Sequence, residues 1–317
     1  MKELLCESWD VIVDFMIYKE IEFKERIDLM LDATSHYIFL SSSRVYNESH
    51  VPITEGTARL LDNSADAEYL STTEYALSKA RQENMLVTSS RKNWTIVRPY
   101  ITYSEKRMQL GNLEKENWLY RALQGRTIVF SEDIKEHLTT LTYGLDVSKG
   151  IASLLHNPKA FGEIYHITNE TSVKWDDVLG IYLNVLEEKT GKRPKVIYQE
   201  LSDYLTWNKG KYQIIYDRLF NRRFDNKKIN DFVNTKEFIS VQNGLRSCLI
   251  KFLDNPEFLN INWRSEAIKD RYTNERTLLK EIKGFKQKIE YLTYRYLKRS
   301  FIKATESFLY NLNRSRD

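Results

Sequence analysis

The chain has 317 residues, of which 42% are hydrophobic and 13% aromatic, and its formal net charge is +4. This composition provides enough apolar material for two lobes that share a core. The two cysteines, Cys6 and Cys248, are too few and too far apart for a disulfide framework or a zinc site, which favours a reducing compartment. No apolar run reaches the length of a membrane span and residues 1–7 do not resemble a signal peptide, so we expect a cytoplasmic location.

The distribution of charge and histidine argues against two classes of ligand. Residues 264–317 contain 14 Lys and Arg against 7 Asp and Glu, whereas the preceding residues contain 34 basic and 37 acidic side chains. In a nucleic-acid-binding protein the basic patch is expected on the binding domain, whereas here the basic excess lies in the C-terminal residues. Nucleic-acid binding is therefore not expected. The five histidines are scattered without metal-ligand spacing, and no metal site is expected.

Strands and helices alternate along the first hundred residues. Residues 9–15 read as a buried strand, and apolar residues at helical spacing predict a helix over 21–33. A second strand over 37–40, a helix over about 67–89 and a buried strand over 94–97 follow. This alternation predicts an α/β fold with a doubly wound parallel sheet.

The pattern after this third strand is less regular, as expected where the chain leaves the sheet to form a second lobe. Helices are predicted over 117–123, 145–155 and 175–190. Short strands are predicted over 127–130 and 162–168.

Three residues carry the strongest chemical signal. Ser42 lies at the end of the strand over 37–40, and Tyr75 and Lys79 lie one turn apart on one face of the next long helix. Because the carboxyl ends of parallel strands meet at one edge of a sheet, this order suits proton and hydride transfer at a hydroxyl group. Of the 20 tyrosines only Tyr75 and Tyr294 have Lys four residues later, and only Tyr75 follows a serine-rich strand end. A strand-end cap and an ordinary amphipathic helix face are the alternatives.

A family resemblance is carried by three short motifs, Ser41-Ser-Ser-Arg-Val-Tyr46, Tyr75-Ala-Leu-Ser-Lys79 and Arg98-Pro99. With them, residues 9–230 resemble the extended short-chain dehydrogenase/reductase family, the NAD-dependent epimerases and dehydratases. The resemblance implies a Rossmann-like fold, NAD or NADP as cofactor, and a nucleotide sugar or similar hydroxylated metabolite as substrate. It also implies that Tyr75 acts as a phenolate base, that Lys79 stabilises this phenolate and binds the nicotinamide ribose, and that Ser42 orients the reacting oxygen. A free phenol is almost fully protonated at neutral pH, so a nearby ammonium is needed.

The resemblance implies four further positions near the cofactor. Arg98 and Pro99 would shape the wall beside the nicotinamide, although a structural role is favoured for this pair. Asp14 and Phe15 stand where the loop after the family's fourth strand approaches the cofactor. A plain strand end is the alternative for these two residues.

Ser43, Arg218 and Arg222 are implied substrate contacts. The two arginines could bind a phosphate or a sugar acid, or they could be surface charges on a helix. Dehydratases of this family place an Asp-Glu pair directly after the hydroxyl residue, whereas this chain has Ser43 and Arg44, so water elimination is not expected. We therefore predict an epimerase or reductase. A catalytically inactive remnant or binding module of the same fold is the alternative.

One part of the family pattern is missing. A Gly-rich turn after the first strand brings the backbone close to the cofactor pyrophosphate, but the first glycine of this chain is Gly56. The strand over 9–15 resembles the family's fourth strand, so we expect an N-terminally incomplete sheet that lacks roughly two βα units. Weak NAD binding by the isolated chain is expected, together with self-association or a separately encoded N-terminal piece.

The predicted lobes are interleaved along the chain. Residues 1–106 form a truncated Rossmann-like NAD-binding lobe, to which residues 143–170 return. Residues 107–142 and 171–263 form a smaller substrate-binding lobe. Residues 264–317 form a C-terminal helical tail.

The tail carries an apolar stripe whose members recur with spacings of four and three residues: Leu278, Ile282, Phe285, Ile289, Leu292 and Tyr296. This pattern predicts one continuous basic amphipathic helix. Such a helix could pack on the body of the protein, pair with a second copy, or make peripheral contact with an anionic membrane surface.

Overall fold

A computed structural model of the chain describes residues 7–297. The strands of this part are β1 (Trp9–Asp14), β2 (Thr34–Leu40), β3 (Trp94–Pro99), β4 (Thr102–Tyr103), β5 (Ile128–Ser131), β6 (Leu138–Thr139), β7 (Thr142–Tyr143), β8 (Glu163–Ile167), β9 (Val173–Lys174) and β10 (Val196–Gln199).

The central sheet contains β1, β2, β3 and β8 in that order, and all three pairings are parallel. Tyr37, Ile38 and Phe39 in the middle of β2 are fully buried, as expected for a parallel sheet covered on both faces. The predicted Rossmann-like α/β fold is confirmed. The order β1-β2-β3 matches the second half of the doubly wound order 3-2-1-4-5-6.

The helices of the described residues are α1 (Glu20–Lys24), α2 (Ile27–Asp32), α3 (Leu60–Asn63), α4 (Ala67–Leu70), α5 (Tyr75–Val87), α6 (Lys115–Leu123), α7 (Glu132–Lys135), α8 (Gly144–Leu154), α9 (Trp175–Thr190), α10 (Leu201–Tyr204), α11 (Lys211–Gln213), α12 (Val241–Asp254), α13 (Trp263–Thr273) and α14 (Phe285–Tyr296). A π-helical turn over Ile214–Arg218 continues α11. Shorter 3-10 turns occupy Ser43–Val45, Pro158–Ala160, Ile229–Asp231, Thr235–Glu237 and Leu279–Glu281. Within residues 7–297, no helix combines the length and the apolar character needed to cross a bilayer.

Local sequence signals set the ends of several helices. The Ser240 hydroxyl accepts a hydrogen bond from the Asn243 amide at 3.3 Å and begins α12. The Asn262 side chain accepts one from the Ser265 amide at 3.0 Å and begins α13. Gly191, with φ of 71°, ends α9 in the left-handed conformation that glycine adopts at low cost.

Helices cover both faces of the sheet because side chains alternate along each strand. Tyr37 and Phe39 point to one face, where they pack with Phe23 of α1. Ile38 points to the other face, where it packs with Val147 of α8. The interior of β2 is therefore anchored from both sides, and its C-terminal end is held in a fixed place.

Outside the central sheet, β5 and β10 form a separate parallel pair. Trp118 of α6 stacks on Tyr182 of α9 with ring centroids 4.4 Å apart. The buried Arg121 side chain donates to Glu266 at 2.8 Å and to Asp270 at 2.7 Å, which joins α6 to α13. The beginning of the predicted tail is thus part of the body.

Three predicted helices are interrupted. The region 67–89 contains α4 and α5, because the hydroxyls of Ser71 and Thr72 bond the carbonyls of Glu68 and Tyr69 and compete with helix continuation. The region 21–33 contains α1 and α2. The tail prediction of one continuous helix from Leu278 is wrong, since a 3-10 turn and Gly284 precede α14.

β1 lies at one edge of the central sheet. In the described part of the chain, no strand pairs with the outer side of β1. Phe15, Met16 and Ile17, which follow it directly, are exposed. An unpaired parallel edge with apolar neighbours is a surface on which another strand can add.

Gly244 of α12 should not tolerate a methyl group, since a Cβ atom there would overlap the buried hydroxyl of Tyr103. We expect Gly244→Ala to lower the free energy of unfolding by about 1–3 kcal/mol. Gly180 of α9 has open space around it, so Gly180→Ala should raise the same quantity by roughly 0.5–1 kcal/mol. Urea denaturation followed by circular dichroism measures both. Equal effects of the two variants would contradict this packing.

Candidate active site

Ser42 follows the last residues of β2 at the carboxyl end of the sheet. Its hydroxyl accepts a hydrogen bond from the Arg44 amide at 3.2 Å, which begins the 3-10 turn over Ser43–Val45. The side chain is 7% exposed. The turn therefore holds the hydroxyl at the strand end, as a cap does, and a cap does not use its O–H proton.

Tyr75 is the first residue of α5, and its position is set by the residue before it. The Glu74 carboxylate accepts a hydrogen bond from the Ala76 amide at 2.7 Å and so begins the helix at Tyr75. Burial raises the pKa of the Tyr75 phenol, and the Arg44 guanidinium and hydrogen bonding to Ser42 act in the opposite direction. The structure thus brings Ser42 and Tyr75 together.

Lys79 lies one turn after Tyr75 and is buried. Its ammonium donates to the Leu40 carbonyl at 2.8 Å and lies 4.4 Å from the centre of the Phe39 ring. Burial lowers the pKa of Lys79 to about 8, although the carboxylates of Asp14 and Glu83 favour its charged form. The charged ammonium is therefore bound to the end of β2, beside the strand end that carries Ser42.

Tyr75 and Lys79 share a cleft of about 720 Å³ between α5 and the chain that follows β1. The cleft is lined by Ile17, Tyr18, Lys19, Glu20, Ile21, Glu22, Thr73, Tyr75, Ser78, Lys79 and Gln82. The buried Gln82 amide donates to the Tyr18 carbonyl at 2.8 Å, while its own carbonyl oxygen has no hydrogen-bond partner among the described residues. This acceptor is available to a polar group in the cleft.

Asp14 and Phe15, expected near the cofactor, differ in environment. The buried Asp14 carboxylate accepts hydrogen bonds from the Tyr37 hydroxyl at 2.7 Å and the Met16 amide at 2.9 Å. Burial and the neighbouring Asp14 charge hold the pKa of Tyr37 well above its usual range. Phe15 is exposed. Asp14 is therefore engaged at the strand end, and neither residue lines the cleft.

Arg98 and Ser43 are also engaged inside the protein. Two guanidinium nitrogens of Arg98 donate to Glu83 at 2.8 and 2.6 Å. The Ser43 hydroxyl donates to the Arg98 carbonyl at 2.7 Å. The Arg98 side chain, expected beside the nicotinamide, thus joins β3 to α5, and Pro99 is the last residue of β3. Ser43, expected at the substrate, joins β2 to β3.

Arg218 and Arg222 are buried and are not surface charges on a helix. Arg222 donates to Asp217 at 2.9 Å and to the Tyr46 carbonyl at 3.1 Å. Arg218 is paired with the same carboxylate and donates to the Gly111 carbonyl at 2.9 Å. Burial lowers the pKa of Arg218 to about 10. Two buried arginines therefore share one buried carboxylate, which leaves an excess of positive charge.

Arg44 joins this charged cluster to Tyr75. Its guanidinium carbon lies 5.4 Å from the centre of the Tyr75 ring, and the side chain pairs with Glu74. Its Nε atom is buried without a hydrogen-bond partner and lies 3.9 Å from Asp217. Only the contrast with the Asp-Glu pair of dehydratases draws attention to Arg44 in the sequence. Its position over the Tyr75 ring becomes apparent only in the folded structure.

Metal-binding groups do not converge in the part of the chain that the structure describes. No set of three or more His, Cys, Asp or Glu side chains in residues 7–297 has the arrangement of a metal site. The polar groups that line the cleft are hydroxyl, ammonium, amide and carboxylate groups.

Substitution of Lys79 by Met should stabilise the fold at neutral pH. The folded-state pKa of Lys79, about 8, lies below its ordinary value of 10.5, so its burial costs stability below pH 8 and this cost disappears as the pH rises to 10.5. We expect Lys79→Met to raise the free energy of unfolding at pH 7 by about 1–3 kcal/mol, after the loss of the hydrogen bond to Leu40. The gain should shrink towards pH 10.5. Urea denaturation at several pH values measures it.

The exposed Lys236 provides the control. Lys236→Met should leave the stability unchanged at each pH. A Lys79→Met protein that is less stable than the original at pH 7 and pH 10 alike would contradict the proposed cost of the buried charge.

Solved structures of known enzymes share this fold. UDP-glucuronic acid 4-epimerase from Bacillus cereus, in complex with UDP-glucuronic acid and NAD, is 18% identical, with a TM-score of 0.52 over 71% of this chain and 66% of that chain. An epimerase from Methanothermobacter thermautotrophicus is 15% identical, with a TM-score of 0.60 over 80% of this chain and 75% of that one. dTDP-glucose 4,6-dehydratase from Bacillus anthracis, in complex with NAD, is 16% identical, with a TM-score of 0.57 over 78% and 74%. No protein-family model and no curated protein matches the sequence. The chain therefore has the Rossmann-like fold of the NAD-dependent nucleotide-sugar epimerases and dehydratases.

Proposed function

We propose that the chain is the catalytic part of an NAD- or NADP-dependent epimerase or reductase that acts on a hydroxyl group of a nucleotide sugar. One observation carries this proposal: Tyr75 and Lys79 line one cleft, and Ser42 lies close enough to Tyr75 to act on the pKa of its phenol. The fold supports it, since enzymes of this fold were solved with NAD and with UDP-glucuronic acid.

In this proposal Tyr75 takes the proton from the substrate hydroxyl, and Ser42 holds the reacting oxygen. The phenol must lose its own proton first, and burial opposes this. Arg44, whose guanidinium lies over the Tyr75 ring, and the ammonium of Lys79, charged below pH 8, favour the phenolate. The cofactor supplies the hydride acceptor when it is bound.

The described residues suit only one half of such a cofactor. Lys79 and the unpartnered Gln82 carbonyl oxygen offer a donor and an acceptor to the nicotinamide ribose in the cleft. The pyrophosphate half needs a Gly-rich turn before a helix, and no glycine precedes Gly56 in the chain. We therefore propose that a further βαβ unit adds to the outer edge of β1 and supplies that turn. Self-association through the same edge is the competing arrangement.

The excess positive charge near Tyr75 suits an anionic substrate. Within residues 7–297, the ion pairs of Arg44, Arg218 and Arg222 are made with two carboxylates, Asp217 and Glu74. A phosphate or sugar carboxylate placed at the partly exposed Arg44 guanidinium would gain a charge-assisted hydrogen bond. Arg218 and Arg222 would then act through Asp217 and not by direct contact.

A non-catalytic binding module of this fold is the second candidate. It is favoured by the hydrogen bond that Lys79 donates to the Leu40 carbonyl at 2.8 Å, because this bond uses the ammonium inside the protein. Calorimetric titration of NAD into the 317-residue chain, alone and fused to a Gly-rich βαβ unit, measures how much that unit adds to the affinity for NAD. We expect no micromolar affinity for the chain alone and a large gain when a Gly-rich βαβ unit is fused to it.

Tyr75→Phe should strongly lower the turnover of a nucleotide sugar by this fusion protein in the presence of NAD. Loss of a general base lowers kcat by about 100- to 10,000-fold. Tyr294 also has Lys four residues later but lies in α14, so Tyr294→Phe is the matched control and should retain full activity. Product formation from a panel of UDP- and dTDP-sugars is measured by chromatography. Equal activity of the two variants would exclude the proposed role of Tyr75, and no turnover by any form would favour the binding module.

A further inference from the structure

Helix α14 is fixed on the body through one side. Tyr291 is buried, donates its hydroxyl proton to Asp270 at 2.7 Å and accepts a hydrogen bond from the Thr277 amide at 2.7 Å. Arg295 donates to the Glu275 carbonyl at 3.0 Å. Ile282, just before the helix, is also buried. These contacts on α13 and on the chain that follows it determine which side of α14 faces outward.

The outward side carries four large apolar residues at spacings of four, three and four, which place them on one face. This outer stripe consists of Phe285, Ile289, Leu292 and Tyr296, with exposed fractions of 77%, 50%, 38% and 55%. Of the predicted tail stripe, Ile282 alone is buried. The part of the stripe on α14 thus faces solvent and does not pack on the body.

Basic side chains accompany the outer stripe. Lys280, Lys283, Lys286 and Lys288 lie in or just before α14, and within residues 7–297 none of the four forms an ion pair. The neighbouring Glu281 carboxylate accepts a hydrogen bond from the Tyr120 hydroxyl at 2.9 Å and forms an ion pair with Arg126 at 3.1 Å. This part of the chain therefore combines exposed apolar area with an excess of positive charge, four lysines against the exposed carboxylate of Glu290.

We propose that the outer stripe of α14 docks on an anionic lipid surface. A helix that is apolar on its outward face and basic beside it lies in the interface of a bilayer, where acyl chains take the apolar residues and acidic headgroups pair with the lysines. A second copy of the helix would cover the apolar residues but would bring the lysines against one another. Charge complementarity therefore favours the lipid surface over self-pairing.

Vesicle sedimentation of the full 317-residue chain tests this proposal. We expect binding to vesicles of phosphatidylglycerol mixed with phosphatidylcholine, weak binding to phosphatidylcholine alone, and loss of binding at high salt. Phe285→Ser/Ile289→Ser should lower the partition coefficient by roughly tenfold or more. Lys283→Gln/Lys286→Gln should lower it about thirtyfold at low salt.

Leu145→Ser is the control, because Leu145 is an exposed apolar residue at the start of α8. It should bind acidic vesicles like the original chain, and circular dichroism should show that each variant is folded. Equal binding to neutral and acidic vesicles would overturn the proposal, and so would no binding to either. Unchanged binding of Phe285→Ser/Ile289→Ser would overturn it as well, as would a dimer in light scattering that this variant abolishes while lipid binding is absent.

Discussion

The buried carboxylate of Glu83 holds the candidate site together. It accepts hydrogen bonds from Arg98 at 2.8 and 2.6 Å, from the Ser41 hydroxyl at 2.5 Å and from Arg59 at 3.1 Å. Ser41 follows β2 and Arg98 belongs to β3, so one side chain of α5 binds the ends of two neighbouring strands. A buried charge is tolerated only with such partners, and loss of one partner is costly. The arrangement of Tyr75 on the same helix relative to Ser42 depends on this contact.

Two cationic groups of the candidate site, the Lys79 ammonium and the Nε of Arg44, are buried at a cost in stability. Lys79 is buried with a lowered pKa and has a backbone carbonyl, not a carboxylate, as its hydrogen-bond acceptor. Arg44 keeps a buried Nε without a hydrogen-bond partner. Side chains that a fold buries at a cost are typical of sites that act on a ligand. The chain around them is held by well-paired groups such as Arg98 and Glu83.

Local pattern was sufficient for the central sheet and for placing Ser42 after a strand and Tyr75 and Lys79 on one helix, because strand ends and helix faces follow from short sequence periods. The partners of the arginines could not be predicted this way. Glu83 lies four residues after Lys79, and its contacts with Ser41 and Arg98 arise only when the strands are adjacent. Arg218 and Arg222 read equally well as surface charges until Asp217 is seen between them. The tail stripe is divided in the structure. Ile282 is buried before Gly284, whereas the contact of Tyr291 with Asp270 fixes α14 so that its apolar stripe stays exposed.

The pKa of Tyr75 tests most directly the arrangement of Ser42, Tyr75 and Arg44 on which the proposed chemistry rests. It can be measured by NMR in chain labelled with carbon-13 at the tyrosine Cζ, with Tyr75→Phe used to assign the signal. We expect a pKa above the ordinary value of 10, because burial outweighs Arg44 and Ser42, and a further rise in Arg44→Gln and in Ser42→Ala. A pKa at or below 10, or a pKa that neither substitution changes, would contradict a buried Ser42–Tyr75 pair under the Arg44 guanidinium.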